Sequence, residues 1–221
     1  MSLKLQNIRK TFKSPGGGTI VAVEDACLEL NPGDFCAIYG PSGSGKTTLL
    51  VMAGALLSPD SGDVAICGRN PYALGSAQRS KLRATAIGFV FQQFHLMPYL
   101  SVLENTLAPT LAGAIEGAGE RARELLCRFR LDHRMQHTPG ALSVGEQRRL
   151  ALARALMRTP PILIADEPTG NLDPDNAASI LSYLSEFAAS GGTVLMATHD
   201  GSALQVANRR VEMRGGKLGN C

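Results

Sequence analysis

No stretch of the 221-residue sequence is apolar for long enough to cross a bilayer. The longest nearly unbroken run, Leu49 to Leu57, has nine residues, about half of the ~20 that a spanning helix needs. The chain is therefore expected not to enter the membrane itself. Lys4, Arg9, Lys10 and Lys13 interrupt the N-terminus before an apolar h-region could form, so no secretory signal is expected. Cysteines are few: Cys27, Cys36, Cys67, Cys127 and Cys221 are odd in number, widely spaced and free of any C-x-x-C. That pattern argues against a disulfide framework and a zinc knuckle and points to the reducing cytosol. Internal repeats and low-complexity tracts are lacking. Charge is sparse at 19%, and 22 Lys and Arg against 19 Asp and Glu leave +3, too small a surplus to indicate nucleic acid. What is present, 44% hydrophobic residues, can close a core, and the length suits one large domain or a domain with a subdomain.

The first third reads as strands and turns. Leu3 to Ile8 alternates apolar and polar residues, Ile20 to Leu30 is half-buried in pattern, and the glycines at 16–18 read as a flexible hairpin tip. Phe35 to Tyr39 is apolar throughout, as expected of a strand covered on both faces. A glycine-rich loop follows, then a helix over Thr47 to Leu57 that Ser58 to Gly62 terminates. Asp63 to Cys67 and Ile87 to Phe91 are further strands. Residues of about 101–158 change character, rich in Ala, Leu, Arg and Glu, and read as a helical subdomain inserted into an α/β core formed by 1–100 and 159–221. After it come strand Ile162 to Ala165, helix Pro174 to Ser190, strand Thr193 to Ala197, a short helix near Ser202 to Ala207 and a hairpin from Arg210 to Leu218. Strands alternating with helices predict a mostly parallel sheet with helices on both faces, beside an N-terminal antiparallel β region.

Gly40 to Thr48, GPSGSGKTT, satisfies G-x-x-x-x-G-K-[ST] between a buried strand and a helix. Polyphosphate binding needs many backbone N–H groups aimed at one place, which Gly40, Ser42, Gly43, Ser44, Gly45, Thr47 and Thr48 can supply, with the helix dipole behind them. Lys46 reaches the β- and γ-phosphates, and the Thr47 hydroxyl can take Mg²⁺. The fold expected is thus a P-loop NTPase core that binds ATP and Mg²⁺. A second constellation narrows the chemistry: the run 160–165 ends in Asp166 and Glu167. A carboxylate at the C-terminal end of a parallel strand faces the crevice where such sheets bind ligands. Asp166 suits the Mg²⁺ shell, and Glu167 suits orienting or deprotonating an attacking water.

Between these lies Leu142 to Leu156, LSVGEQRRLALARAL, which with the P-loop resembles the signature segment of ABC-type ATPases. The resemblance extends over almost the whole chain and implies a single ABC ATPase domain over 1–221. By it, Gln92 corresponds to the glutamine that reaches Mg²⁺ and reports nucleotide state to a membrane partner. Asn171 to Asp173 corresponds to the D-loop, His199 to the switch histidine at the γ-phosphate, and Phe12 to the aromatic that stacks on adenine. Ser143, Gly145 and Glu146 correspond to signature residues that meet ATP held by the other subunit, which implies a head-to-tail homodimer with two shared sites. Val144 departs from the family pattern at the first signature glycine and is expected to weaken closure modestly; Glu146 in place of Gln is a milder change.

The segments 87–98, 103–105 and 165–173 further resemble the bacterial ATPases of lipoprotein release and macrolide export. That implies a separate integral membrane permease as partner and a peripheral place on the cytoplasmic face of the inner membrane. Phe94 to Glu104 reads either as a docking surface for the permease or as a segment that packs the helical subdomain on the core. Nine arginines between Arg121 and Arg158 make the helical region basic; with few aromatics interleaved and Glu120 and Glu124 able to pair with them, they read as a solvated face, and no nucleic-acid partner is expected. His133 and His137 have metal-pair spacing, but no third ligand except Asp132 is near, and a metal is not expected there. The rival readings are a soluble ABC-type ATPase, which the 51-residue separation of Gln92 from Ser143 disfavours, and a non-catalytic ATP-binding regulator, which intact Lys46, Asp166, Glu167 and His199 disfavour.

Overall fold

The structure, a computed structural model, describes residues 1–219; of the cysteines read above, Cys221 lies outside them. Two sheets form the frame. The first is antiparallel, with strand order β2-β1-β4, built from β1 (Leu3–Lys13), β2 (Thr19–Leu30) and β4 (Ser61–Ile66). The second has six strands in the order β5-β6-β7-β3-β8-β9. Within it β3 (Phe35–Tyr39), β5 (Ile87–Val90), β6 (Ile162–Asp166), β7 (Thr193–Thr198) and β8 (Arg209–Arg214) run parallel. β9 (Lys217–Leu218) returns antiparallel to β8.

Phe35 to Tyr39 and Ile162 to Ala165 are apolar at every position because both faces are covered, and the period-2 alternation of the central strands sorts residues between two cores. Cys36, Ile38, Ile162, Ile164, Leu195 and Ala197 point to one side, where α1 (Lys46–Ala53) lies between this sheet and the antiparallel one. Phe35, Ala37, Leu163, Ala165, Val194 and Met196 point to the other. There they meet α4 (Ala118–Arg128), α5 (Val144–Leu156) and α6 (Pro174–Ala189). Helix α7 (Gly201–Val206) precedes β8 and packs on α6.

Three expectations are corrected. Helix α2 (Ser76–Ala86) was not foreseen, because it buries only Leu82 and Ala86 and begins at Gly75 without a side-chain cap. The inserted region holds less regular helix than its composition suggests: α3 (Val102–Leu107), α4 and α5 are joined by 3-10 turns at Ala108–Ala112, Asp132–Arg134 and Pro139–Ala141. Nor are its arginines simply a solvated face. Arg148 is buried, and Arg121, Arg154 and Arg158 donate to backbone carbonyls of Met157, Phe94 and Pro109. Among the described residues Glu120 and Glu124 make no ion pair; Arg128 pairs instead with Glu186 at 2.9 Å.

Candidate functional site

The order β5-β6-β7-β3 sets four chain segments side by side at the C-terminal edge of the parallel strands. Gln92 follows β5, Glu167 follows β6, His199 follows β7 and the glycine loop follows β3. Ser42 and His199, 157 positions apart, thereby share one cleft of about 470 Å³. It is lined by Ser42, Gly43, Gly45, Lys46, Thr47, Thr48, Gln92, Glu167, His199 and Phe12. Ile20, Val21 and Ala22 complete the wall, and these the sequence reading missed. Their signal was available: β1 pairs Phe12 with Ile20 on β2, so an exposed ring at 12 brings an exposed aliphatic beside it. Both are exposed in the structure, forming an apolar shelf at one end of a polar cleft.

The loop takes its shape from crowding as well as from its dihedrals. Gly40 and Gly45 have φ of 151° and 105°, and a Cβ there would lie 2.0 Å from the Met213 carbonyl oxygen and 2.1 Å from that of Ala22. No other residue fits. Gly45 is also the N-cap of α1 and offers no side-chain acceptor, so the first N–H groups of the helix stay free for a ligand. The Lys46 ammonium is buried and donates to the carbonyls of Gly40 at 2.8 Å and Pro41 at 3.0 Å. Ser44 Oγ is buried with no partner. A loop with open N–H groups, an orphaned hydroxyl and an inward ammonium fits a polyphosphate.

Asp166 ends β6, 5% exposed. Burial pushes its carboxyl above the usual range and Glu167 adds to the rise, while the Thr47 hydroxyl bond and the Lys46 charge oppose it. A buried carboxylate bonded to Thr47, with the Gln92 amide in the same cleft, is an all-oxygen donor set suited to a hard cation such as Mg²⁺. Glu167 sits at φ 48°, outside the strand conformation, and this turn throws its side chain into the cleft. Its Oε2 accepts from Gln92 Nε2 at 3.2 Å, and Oε1 lies 3.1 Å from His199 Nδ1. Behind this trio, Thr169 donates to Asp200 at 3.0 Å, tying the loop after Glu167 to the one carrying His199. Sequence reading missed both residues, since neither type is distinctive there.

Ser143, Gly145, Glu146 and Asp173 do not line the cleft; they gather at the start of α5. Ser143 Oγ accepts from the Glu146 N–H at 3.2 Å, while Glu146 Oε2 accepts from the Ser143 N–H at 2.8 Å, a closed capping box. Burial works against the Glu146 charge, yet the Ser143 bonds and Arg134 hold its carboxyl below the usual range. Gly145 packs on Asn176, whose amide would lie 3.1 Å from a Cβ at 145. Asn176 in turn donates to Asp173 at 2.6 Å and accepts from Arg149 at 2.6 Å. The Asn176 bonds hold the Asp173 carboxyl below its usual range. Val144 is half-exposed beside Ser143.

A family model described as "ABC transporter" matches residues 23–170. The chain is 44% identical over 219 residues to the lipoprotein-releasing system ATP-binding protein LolD of Paramagnetospirillum magneticum, covering 98% of this chain and 96% of that protein. It is 43% identical over 215 residues to the macrolide export ATP-binding/permease protein MacB of Chlorobium luteolum, covering 97% of this chain but 32% of that longer protein. Among solved structures, the dimeric bacterial ABC transporter cassette MJ0796 is similar with a TM-score of 0.92 and 38% identity, covering 99% and 97% of the two chains. A post-hydrolysis form of that cassette, bound to ADP and Pi, matches equally well.

Proposed function

Because this chain belongs to the ABC transporter family, we propose that it is the ATP-hydrolysing motor of a lipoprotein-release or export system, driving a separate permease from the cytoplasmic face of the inner membrane. One observation carries the reading: four neighbouring strand ends bring the phosphate loop, Gln92, Glu167 and His199 around a single cleft. ATP is the substrate. Its adenine stacks on Phe12, and its phosphates receive the free N–H groups of the loop. Lys46 turns from the carbonyls of Gly40 and Pro41 to the β- and γ-phosphates. Thr47, Asp166 and Gln92 would hold Mg²⁺, which supplies charge to offset that of the transferring phosphoryl group. Glu167 takes the proton of the attacking water through the carboxylate oxygens that now meet Gln92 and His199. His199 moves to the γ-phosphate.

One phosphate loop and one signature per chain support a head-to-tail pair with two shared ATP sites. Ser143 and Gly145 of each subunit then face ATP in the other, and hydrolysis releases the pair because the γ-phosphate contacts vanish. Docking of the permease at Phe94 to Glu104 is supported by an apolar groove of about 400 Å³ lined by Phe89, Phe91, His95, Pro109 and Ala112. Tyr99, 94% exposed, and Leu111, 87% exposed, are unburied apolar side chains in the same part of the chain. No helix among the described residues is long and apolar enough to cross a membrane.

Glu167→Gln tests the reading. It should keep ATP binding, lose turnover by about 10²- to 10⁴-fold and accumulate dimer in size-exclusion chromatography; full turnover would remove Glu167 from its role.

A further inference from the structure

Helix α5 starts at the signature, and two of its arginines end on other motifs. Arg148 is 3% exposed. Its Nη1 donates to the Gly170 carbonyl at 2.7 Å, and its guanidinium carbon lies 4.9 Å from the centre of the Phe94 ring. Its Nε is buried without a hydrogen-bond partner. Arg154 donates to the carbonyls of His95 at 2.6 Å and Phe94 at 2.5 Å. Phe94 and His95 both sit at positive φ, 56° and 46°, so α5 holds the turn after Gln92 in a conformation that costs energy by itself.

Gly170 stands equally close to the cleft. Its N–H donates to the Glu167 carbonyl at 3.2 Å, and a Cβ there would lie 3.7 Å from Glu167 Oε2. The buried guanidinium thus holds Gly170, three positions from Glu167, on one side and Phe94, two positions from Gln92, on the other, and the Glu167 and Gln92 side chains bond each other at 3.2 Å. Filling space does not require a cation here, because a buried ion replaced by an apolar side chain of similar volume often costs little stability. What a guanidinium adds is a flat face for the ring and a donor fork for the carbonyl at once.

We propose that Arg148 is a positioning residue that fixes Gln92 and Glu167 relative to the signature end of α5, so that a displacement of α5 moves both groups together. The inference rests on Glu167 as the residue that activates the water. Arg148 does not line the cleft, and this separates its effect from nucleotide binding.

The experiment compares Arg148→Met and Arg148→Lys in the full chain, measuring MgATP turnover together with ADP affinity by calorimetry. Arg148→Met should keep ADP affinity and KM within about twofold while kcat falls by about 10- to 100-fold, the scale of a misplaced reacting group. Arg148→Lys, able to reach Gly170 though not to lie flat on Phe94, should recover most of kcat. Phe94→Leu should give a smaller loss, and adding it to Arg148→Met should cost nothing further, since groups acting as a unit are not additive. A kcat unchanged in Arg148→Met, an ADP affinity that falls in step with kcat, or fully additive losses would each overturn the proposal. Should Arg148→Met fail to fold, Arg148→Lys and Phe94→Leu alone still decide it through kcat at constant ADP affinity. Glu167→Gln in the same assay separates the two readings: if it is inactive while Arg148→Met is unimpaired, only the role of Arg148 falls.

Discussion

Helices α1 and α5 both begin where the proposed function brings a phosphate, yet their first turns are finished in opposite ways. At α1 the N-cap is Gly45, with no side chain to accept from the helix, so its N–H groups remain open. At α5, Ser143 and Glu146 satisfy each other's backbone N–H groups. An uncapped helix end is costly to leave without a partner, and that cost becomes affinity when an anion arrives. A capped end is stable alone and must give up part of its cap to a ligand. The first end is therefore suited to hold nucleotide in a lone subunit. The second is suited to respond only when a second subunit presents its ATP, which keeps closure reversible.

The largest effect should come from the open end. Lys46→Ala removes the ammonium that faces the loop and should weaken ATP binding about 100-fold or more, as expected for truncating one partner of a buried charge pair; calorimetry reads it directly. Near-normal affinity would mean that the N–H groups of α1 suffice. At the capped end, Ser143→Ala should cost about 1 kcal/mol of stability, or roughly 2–4 °C in melting temperature without nucleotide, and should leave ADP affinity of the lone chain unchanged. A fall in ADP affinity would erase the distinction between the two ends.

Smaller effects sharpen the contrast. Val144→Gly, which removes a half-exposed isopropyl group next to the cap, should strengthen ATP-driven dimerisation by a few-fold, about 1 kcal/mol or less. Light scattering in the Glu167→Gln background measures it, and unchanged dimerisation would leave Val144 without a role in closure. Glu146→Gln should cost about 0.5 kcal/mol at neutral pH through the Arg134 contact at 3.3 Å. Because the folded protein lowers the Glu146 carboxyl, that stabilisation is full above the unfolded value of about 4.3 and is lost as pH falls below it. The melting temperatures of wild type and variant should therefore converge only once pH has fallen through the lowered folded value of this carboxyl.

How far these features can be read without coordinates depends on whether local rules decide them. The place of the glycine loop and of Asp166 was legible because each follows a short buried apolar run, which marks where a parallel strand ends. The Ser143 cap is a local feature of the same kind, because its side chain acts three residues away. Helix α2 was not legible, since its burial of just Leu82 and Ala86 leaves no apolar stripe to find. Arg148 misled for a related reason: between Gln147 and Arg149 it looks like one of several surface charges, and only the tertiary placement of Phe94 and Gly170 shows it buried. Long-range partners decide such residues, and sequence spacing does not register them.

Gly40 is pressed against the backbone of Met213, and β3, which feeds the phosphate loop, is hydrogen-bonded to β8 on one side. The loop's floor is thus made by a strand that leaves the ribosome some 173 residues later, roughly 9 to 35 seconds at about 5–20 residues per second. Until then the loop lacks the wall that fixes its curvature. Nucleotide occupancy consequently depends on β8 having joined the sheet, and a nascent chain stalled before β8 should not retain ATP.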